Sequence, residues 1–304
     1  MSDTALRQIG LIGFGEVGGI FGQDWVSKGI RVVTYDILFE TMGSRERMAE
    51  KARRASVEMA GNYAEAVRGA DLVVAAVTAS SALPVAKACA PALRPGQIYM
   101  DVNSVSPDTK IQVGTEMARA NIDFVECAVL AAVAAPRLKV PLLLGGRRAQ
   151  ELTQRFNGLG MDATAVSENI GVASAIKMCR SVVMKGLAAL AIESLFAARR
   201  YGAEDAVIAS FEATYPGMGW AKALPDNLAR RAVKHSKRRA AEMRESAETI
   251  KSSGIEPRMS LATAELQDWL TREMQANGYV YKESDPFSWQ MIADTIAGVT
   301  KTSA

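Results

Sequence analysis

The pattern of apolar and polar positions falls into two regimes. Up to about residue 166, short apolar runs alternate with segments of helical periodicity. The run ADLVVAAV at residues 70–77 is continuous and rich in valine, which suits a strand buried on both faces of a parallel sheet. Further strands are predicted at 97–102, 122–127, 140–144 and 163–166, and helices at 43–54, 62–68, 84–92, 108–120 and 148–157. Pro107 suits the first turn of the 108–120 helix, with Ser106 as its N-cap. Such alternation predicts a doubly wound, mainly parallel α/β sheet. Beyond it the strand signal stops. Residues 171–201 contain no proline, and Ile176, Cys179, Val183, Leu187, Leu190 and Leu195 recur at roughly helical spacing. A helix of that length spans about 45 Å, enough to extend past one domain. Shorter helices are predicted at 203–215, 225–250, 260–275 and 287–300, with breaks at 216–219, 254–257 and 277–286. The expected layout is therefore an α/β domain over 1–166 and an all-α domain over 167–304.

The first βαβ unit carries the most specific local pattern. Residues 9–36 read IGLIGFGEVGGIFGQDWVSKGIRVVTYD, in which Gly13, Gly15 and Gly18 form G-x-G-x-x-G between an apolar strand and a helix. Gly13 allows the tight turn, Gly15 lets backbone approach a pyrophosphate, and Gly18 lets the helix pack on the strand. The N–H groups of Phe14, Glu16 and Val17 lie in the same turn, where a helix N-terminus favours phosphate. Asp36 closes the second strand about 20 residues on, where a carboxylate accepts ribose hydroxyls. The unit predicts a Rossmann domain. Asp36 would repel a 2′-phosphate, so NAD is favoured, while Arg45 and Arg47 nearby leave NADP open. The loop at 78–81 follows the 70–77 strand on the edge that borders the ligand crevice, which adds Val77, Thr78, Ala79 and Asn103 to the cofactor contacts.

Composition changes little. The 304 residues are 49% hydrophobic and 23% charged, and the net charge of +3 is too small to point to nucleic acid. Cys89, Cys127 and Cys179 lie in apolar contexts, which predicts reduced, buried thiols. One histidine and no Cys–His cluster give no basis for a metal site. The short polar lead at residues 1–7 runs straight into a strand, unlike a signal peptide, and no apolar run is expected to reach a membrane span. A cytoplasmic enzyme is the expected setting.

Hydride transfer at an alcohol carbon also moves a hydroxyl proton, so a proton-transfer group is required. Lys177 sits near the start of the long helix among Ala173, Ile176, Met178 and Cys179. Desolvation there would lower its pKa, and Arg180, one turn on, would act in the same direction. From spacing alone, a lysine lying along the helix surface is the competing reading. Lys234, Arg238 and Arg239 either present a guanidinium fork to an anion or form a solvated basic face. His235 is either a second proton carrier or a packed, hydrogen-bonded residue. Trp220 and Trp269 read as core or interface positions.

Three segments in order, GLIGFGEVGGIFGQDWVSKG with VVTYD, DVNSVSP at 101–107 and GVASAIK at 171–177, resemble the β-hydroxyacid dehydrogenase superfamily of 3-hydroxyisobutyrate and 6-phosphogluconate dehydrogenases. The resemblance covers essentially the whole chain. It implies a Rossmann domain, a helical second domain that forms a homodimer, metal-independent chemistry and a catalytic lysine at Lys177. The chain also departs from the family. Arg180 and Ser181 stand where two asparagines usually follow the lysine. The carboxylate-holding D-A-P-V-S-G-G loop is matched by ECAVLAA at 126–132, without the serine and the glycines. KMCRSVVMKGLAAL at 177–190 and HSKRRAAEM at 235–243 point to a branch with a divergent helical domain.

The resulting expectation is an NAD(P)-dependent dehydrogenase acting on a hydroxy acid or its keto partner, with Lys177 as general acid/base. Asn103 and Ser104 orient the substrate, Arg180 binds an anionic group or polarises the carbonyl, and Ser181, His235 and Arg238 complete the substrate side. Leu130 gives an apolar wall. An anionic small-molecule substrate is expected, larger than hydroxyisobutyrate where the 130–132 wall lines the pocket, with no nucleic acid or membrane partner. The alternatives are an oxidative decarboxylase, an imine reductase (although those of this fold tend to lose the lysine), and a non-catalytic dinucleotide-binding protein.

Overall fold

The structure, a computed structural model, describes residues 6–298. Most of the 1–7 lead and the end of the helix expected at 287–300 lie outside the described residues. Two compact units divide the chain, Met1–Lys177 and Met178–Ala304.

The first unit is an eight-stranded sheet in the order β3-β2-β1-β4-β5-β6-β7-β8. Its strands are β1 (Gln8–Ile12), β2 (Arg31–Tyr35), β3 (Glu58–Met59), β4 (Leu72–Ala75), β5 (Ile98–Asp101), β6 (Asp123–Val129), β7 (Pro141–Gly145) and β8 (Asp162–Ser167). Its helices are α1 (Glu16–Ser27), α2 (Arg45–Arg54), α3 (Tyr63–Val67), α4 (Ala82–Cys89), α5 (Pro107–Arg119) and α6 (Ala149–Gly158). Ser106 caps α5 by accepting the Thr109 N–H, with Pro107 in the first turn. β4 reads LVVA and is buried at every position, as a central strand covered on both faces must be. Trp25 of α1 lies 6.4 Å from Phe156 of α6 on one face, both fully buried. The sheet is parallel except between β6 and β7, which pair antiparallel. The residues joining those two strands contain only a 3-10 turn at Arg137–Lys139. Without a crossover helix the chain cannot return for a parallel pairing.

Strand order reverses between β1 and β4. In doubly wound sheets the crevice at such a point, beyond the carboxyl ends of the strands, receives the ligand. The loops following Ile12, Ala75 and Asp101 therefore share one edge.

The second unit is helical: the long α7 (Val172–Arg200), α8 (Glu204–Thr214), α9 (Leu224–Ser252), α10 (Arg258–Ala276) and α11 (Trp289–Ala297). The first turn of α7 groups with the sheet unit. Ile192, Leu195, Ala232, Leu270, Trp289 and Ile292 form the core, where Phe196 stacks on Trp289 at 6.3 Å. Trp220 is buried beside Phe211, and Trp269 is half-buried against the core. α9 is kinked at His235, whose φ of −131° and ψ of 22° are not helical.

Two expectations need correction. An 18-residue window of α7 has a mean hydropathy of 1.6, so this helix is long and apolar enough to cross a membrane by length and composition. Cys179 is exposed, unlike Cys89 and Cys127. Val183, Met184 and Leu190 are also exposed on α7, so an apolar sequence context does not here mean burial within the chain.

Candidate active site

The glycine loop is built by close backbone approach. Gly13 has φ +93°, and a β-carbon there would meet the Ala76 carbonyl oxygen at 2.3 Å. A β-carbon on Gly18 would meet the Gly13 oxygen at 2.1 Å. Gly15 differs: a β-carbon there would meet nothing within 4 Å, so the loop is open on that side. Gly15 is the N-cap of α1 and no side chain caps that helix end, which leaves the first-turn N–H groups oriented for an anion. Val17 is half-buried, Glu16 is exposed, and Phe14 is wholly buried, so Phe14 can meet a ligand only through its backbone.

Asp36 accepts hydrogen bonds from Phe14 N at 2.6 Å and Leu38 N at 2.9 Å. It thereby ties the end of β2 to the loop and stays partly exposed. Lys51 of α2 donates to the carbonyl oxygens of Phe14 at 2.6 Å and Gly15 at 2.7 Å. Nothing in the spacing of the sequence marks Lys51, because its partners are main-chain atoms 36 and 37 residues away.

A buried polar network sets the next loop. Lys110 donates to the Asp101 carboxylate at 2.5 Å, with side chains only 1% and 0% exposed. Asp101 accepts from Asn103 N at 2.8 Å and Asn103 Nδ2 at 2.9 Å, and Asn103 Oδ1 accepts from Val77 N at 2.7 Å. Asn103 thus couples the loops after β4 and β5. Thr78 Oγ1 and Ser81 Oγ are 2.9 Å apart in the same turn. Ser104 Oγ is buried with no hydrogen-bond partner among the described residues.

Glu126 is in register with Asp101 across the β5–β6 pair and is fully buried. Its oxygens accept from Gly171 N at 2.6 Å, Ala173 N at 3.1 Å, and Ser174 N and Oγ at 3.2 and 2.8 Å. A carboxylate on a strand therefore caps the first turn of α7 and complements the helix dipole. Lys177 follows three residues after Ser174 and is half-buried. Burial pushes the Cys127 thiol on β6 up to about 12, and the Lys110 and Lys177 charges draw it down from that side. Leu130, half-buried at the end of β6, is held by its N–H to Pro141 O at 3.0 Å, and Ala131 and Ala132 are exposed.

The remaining expected residues belong to the helical unit. Ser181 is buried and its Oγ accepts from Lys185 Nζ at 3.1 Å. Lys185 pairs with Glu242 at 2.9 Å, and Arg238 Nε lies 3.8 Å from the same carboxylate. Burial holds Lys185 below the usual lysine range and lowers Arg239 to about 10. Arg180 is exposed and His235 half-buried at the kink. The structure brings Ser181 and Arg238 to one cluster whose centre, Lys185 and Glu242, the sequence reading missed. Two clusters thus form, each within one unit.

Residues 8–156 match the sequence family described as the NAD binding domain of 6-phosphogluconate dehydrogenase, and residues 198–270 match a domain of unknown function (DUF1932). An uncharacterized 28.5 kDa protein in the 7S RNA 5′ region of Methanothermus fervidus is 31% identical over 259 residues, covering 84% of this chain and 96% of the relative. The solved structure of a conserved hypothetical protein from Sinorhizobium meliloti is 34% identical with a TM-score of 0.79, covering 97% of both chains. That of 3-hydroxyisobutyrate dehydrogenase from Mycobacterium tuberculosis, with L-serine, shares the fold at 14% identity, with a TM-score of 0.73 over 96% of this chain and 99% of that one. The open Gly15 face, the uncapped α1 terminus and the Asp36 carboxylate fit a nicotinamide dinucleotide. The protein is in general terms an NAD(P)-dependent oxidoreductase, and the chain belongs to the β-hydroxyacid dehydrogenase superfamily, in a branch with a divergent C-terminal helical domain.

Proposed function

We propose that the protein oxidises a hydroxy acid, or reduces its keto or aldehyde partner, with Lys177 as the general acid/base. The observation that supports this reading is the Glu126 cap: a buried carboxylate, in register with Asp101 two residues before Asn103, fixes the α7 turn three residues before Lys177. When bound, the nicotinamide dinucleotide supplies the hydride acceptor or donor. Lys177 Nζ takes the proton of the substrate hydroxyl during oxidation and returns it to the carbonyl oxygen during reduction. Ser104 Oγ, buried without a hydrogen-bond partner among the described residues, is the hydroxyl we assign to a polar substrate group. Asn103, committed to Asp101 and Val77, orients the loop at Val77, Thr78 and Ala79 on the cofactor side. Within the helical unit, Arg180 and Arg238 carry positive charge of the kind that suits an anionic group, with Ser181 and His235 on the same elements. Leu130 gives an apolar wall in place of a hydroxyl.

The Asp36 carboxylate favours NAD, since a 2′-phosphate would bring like charge to a group already engaged with Phe14 N. We read the exposed face of α7, with Val183 68% and Leu190 54% exposed, as the contact between two copies in a cytoplasmic homodimer. The same helix carries Lys177, Arg180 and Lys185, and burying such charges in lipid is costly, which favours a protein partner over a membrane.

A panel of hydroxy acids and their keto partners, assayed with NAD(H) and NADP(H), tests the reading. Turnover with a hydroxy acid and no carbon dioxide release supports it; binding of dinucleotide without hydride transfer to any member contradicts it.

A further inference from the structure

We propose that Lys51 is a positioning residue of the dinucleotide site, orienting the Gly15 and Glu16 N–H groups toward the pyrophosphate by holding the carbonyls behind them. Its ammonium donates to Phe14 O at 2.6 Å and Gly15 O at 2.7 Å. In a trans peptide the C=O and the following N–H point in opposite directions. Holding those two carbonyls therefore turns the N–H groups of Gly15 and Glu16 away from Lys51. Gly15 is open on its Cβ side and no side chain caps the helix end, so this is a face that backbone can offer to a phosphate.

Phe14 is gripped from both ends. Asp36 accepts its N–H at 2.6 Å while Lys51 accepts nothing and donates to its C=O. The ammonium also lies 4.8 Å from the centre of the buried Phe14 ring, a cation–π contact that fixes the side chain under the loop. Room for this arrangement comes from α1. A β-carbon on Gly19 would lie 2.7 Å from Lys51 Cε and 2.8 Å from Nζ, so Gly19 is the residue that admits the lysine. No glycine is required at that point for the helix itself, where it is less favourable than alanine. Lys51 also adds a positive charge behind an anion site, and burial lowers its pKa from the ordinary value.

The inference rests on dinucleotide binding and not on the proposed substrate. The test is the Kd of NAD+, NADP+ and ADP-ribose, measured calorimetrically on the full chain for wild type, Lys51→Met and Lys51→Arg. Lys51→Met is expected to weaken all three by about tenfold, the scale of one lost charge-assisted contact. Lys51→Arg should recover most of the loss. The wild-type Kd should weaken as pH rises through the lowered Lys51 pKa, and that slope should vanish in Lys51→Met. If Lys51→Met does not fold, Gly19→Ala carries the test, since it improves helix propensity while crowding Lys51 off the carbonyls; a weaker Kd in a protein at least as stable as wild type is expected. An unchanged Kd in whichever variant folds overturns the proposal. A loss confined to NADP+ also overturns it, in favour of direct 2′-phosphate contact. Failure of the dinucleotide reading looks different, because wild type would then bind none of the three.

Discussion

Glu126 and Ser174 are joined twice, by the Ser174 Oγ–H at 2.8 Å and its backbone N–H at 3.2 Å, both donating to one carboxylate oxygen buried on β6. The other oxygen takes Gly171 N and Ala173 N. Glycine at 145 is needed for this: a β-carbon there would meet Glu126 Oε1 at 2.6 Å. The cap gives Lys177 its position, because a helix turn held at four donors cannot rotate without breaking them. Glu126→Gln places an amide against two of those donors. The expected cost is about 1–3 kcal/mol of stability, together with reduced turnover at unchanged dinucleotide Kd, read by thermal unfolding and single-turnover kinetics. Wild-type stability in the variant would show that the cap contributes little.

The Asp101–Lys110 pair supports the neighbouring loop in a different way. Both side chains are buried, so removing one partner leaves a charge with no water to meet it. Lys110→Met is expected to destabilise by about 3–5 kcal/mol, and adding Asp101→Asn should recover part of that. Equilibrium unfolding of the single and double variants checks the coupling; a double variant no better than the single would mean the two charges do not compensate each other.

Much of the fold is readable from pattern because its causes are local. The valine-rich β4, the Ser106–Pro107 cap and the proline-free α7 each follow from neighbouring residues. The antiparallel turn of β7 is less legible, since strand direction depends on what connects two strands, and the alanine-rich stretch before Pro136 resembles many loops. The site divides in the same way. Gly13, Gly15, Gly18 and Asp36 form a fixed-spacing pattern, whereas Lys51, Glu126 and Lys185 act through main-chain atoms or partners 36 to 57 positions away. Such contacts leave no periodic trace. The exposure of Cys179 is illegible for a related reason: an apolar sequence context looks the same whether the side chain packs into a core or lies on the surface.

Gly15 and Gly18 separate ligand approach from folding. Gly15→Val meets open space in the free protein, so stability is expected to stay within about 0.5 kcal/mol while dinucleotide affinity falls at least about tenfold. Gly18→Ala drives a β-carbon against the Gly13 oxygen and is expected to destabilise the sheet unit itself. Paired thermal unfolding and binding titrations distinguish the two. Equal effects of both substitutions on stability would contradict the assignment of separate roles.

Lys185 makes stability depend on alkaline pH. Burial lowers its pKa below the ordinary lysine range, with Glu242 opposing and Arg239 and Arg238 acting in the same direction as burial. Between the lowered and the ordinary value the unfolded chain holds the proton and the folded chain does not, so the contribution of this group to stability rises with pH across that window. It is lost again as pH falls through the folded value. Lys185→Met should flatten this part of the stability profile, measured by chemical denaturation at a series of alkaline pH values; an unchanged slope would remove Lys185 as its source.

In the proposed reaction Lys177 moves the substrate proton. Lys177→Ala, assayed against the hydroxy acid that wild type turns over best, is expected to lower kcat by about 10²–10⁴-fold while the NAD+ Kd stays unchanged. Loss of the acid-side limb of the pH–rate profile, where a protonated Lys177 cannot accept the hydroxyl proton, should accompany it. Wild-type turnover in Lys177→Ala, with the pH profile intact, would contradict the account.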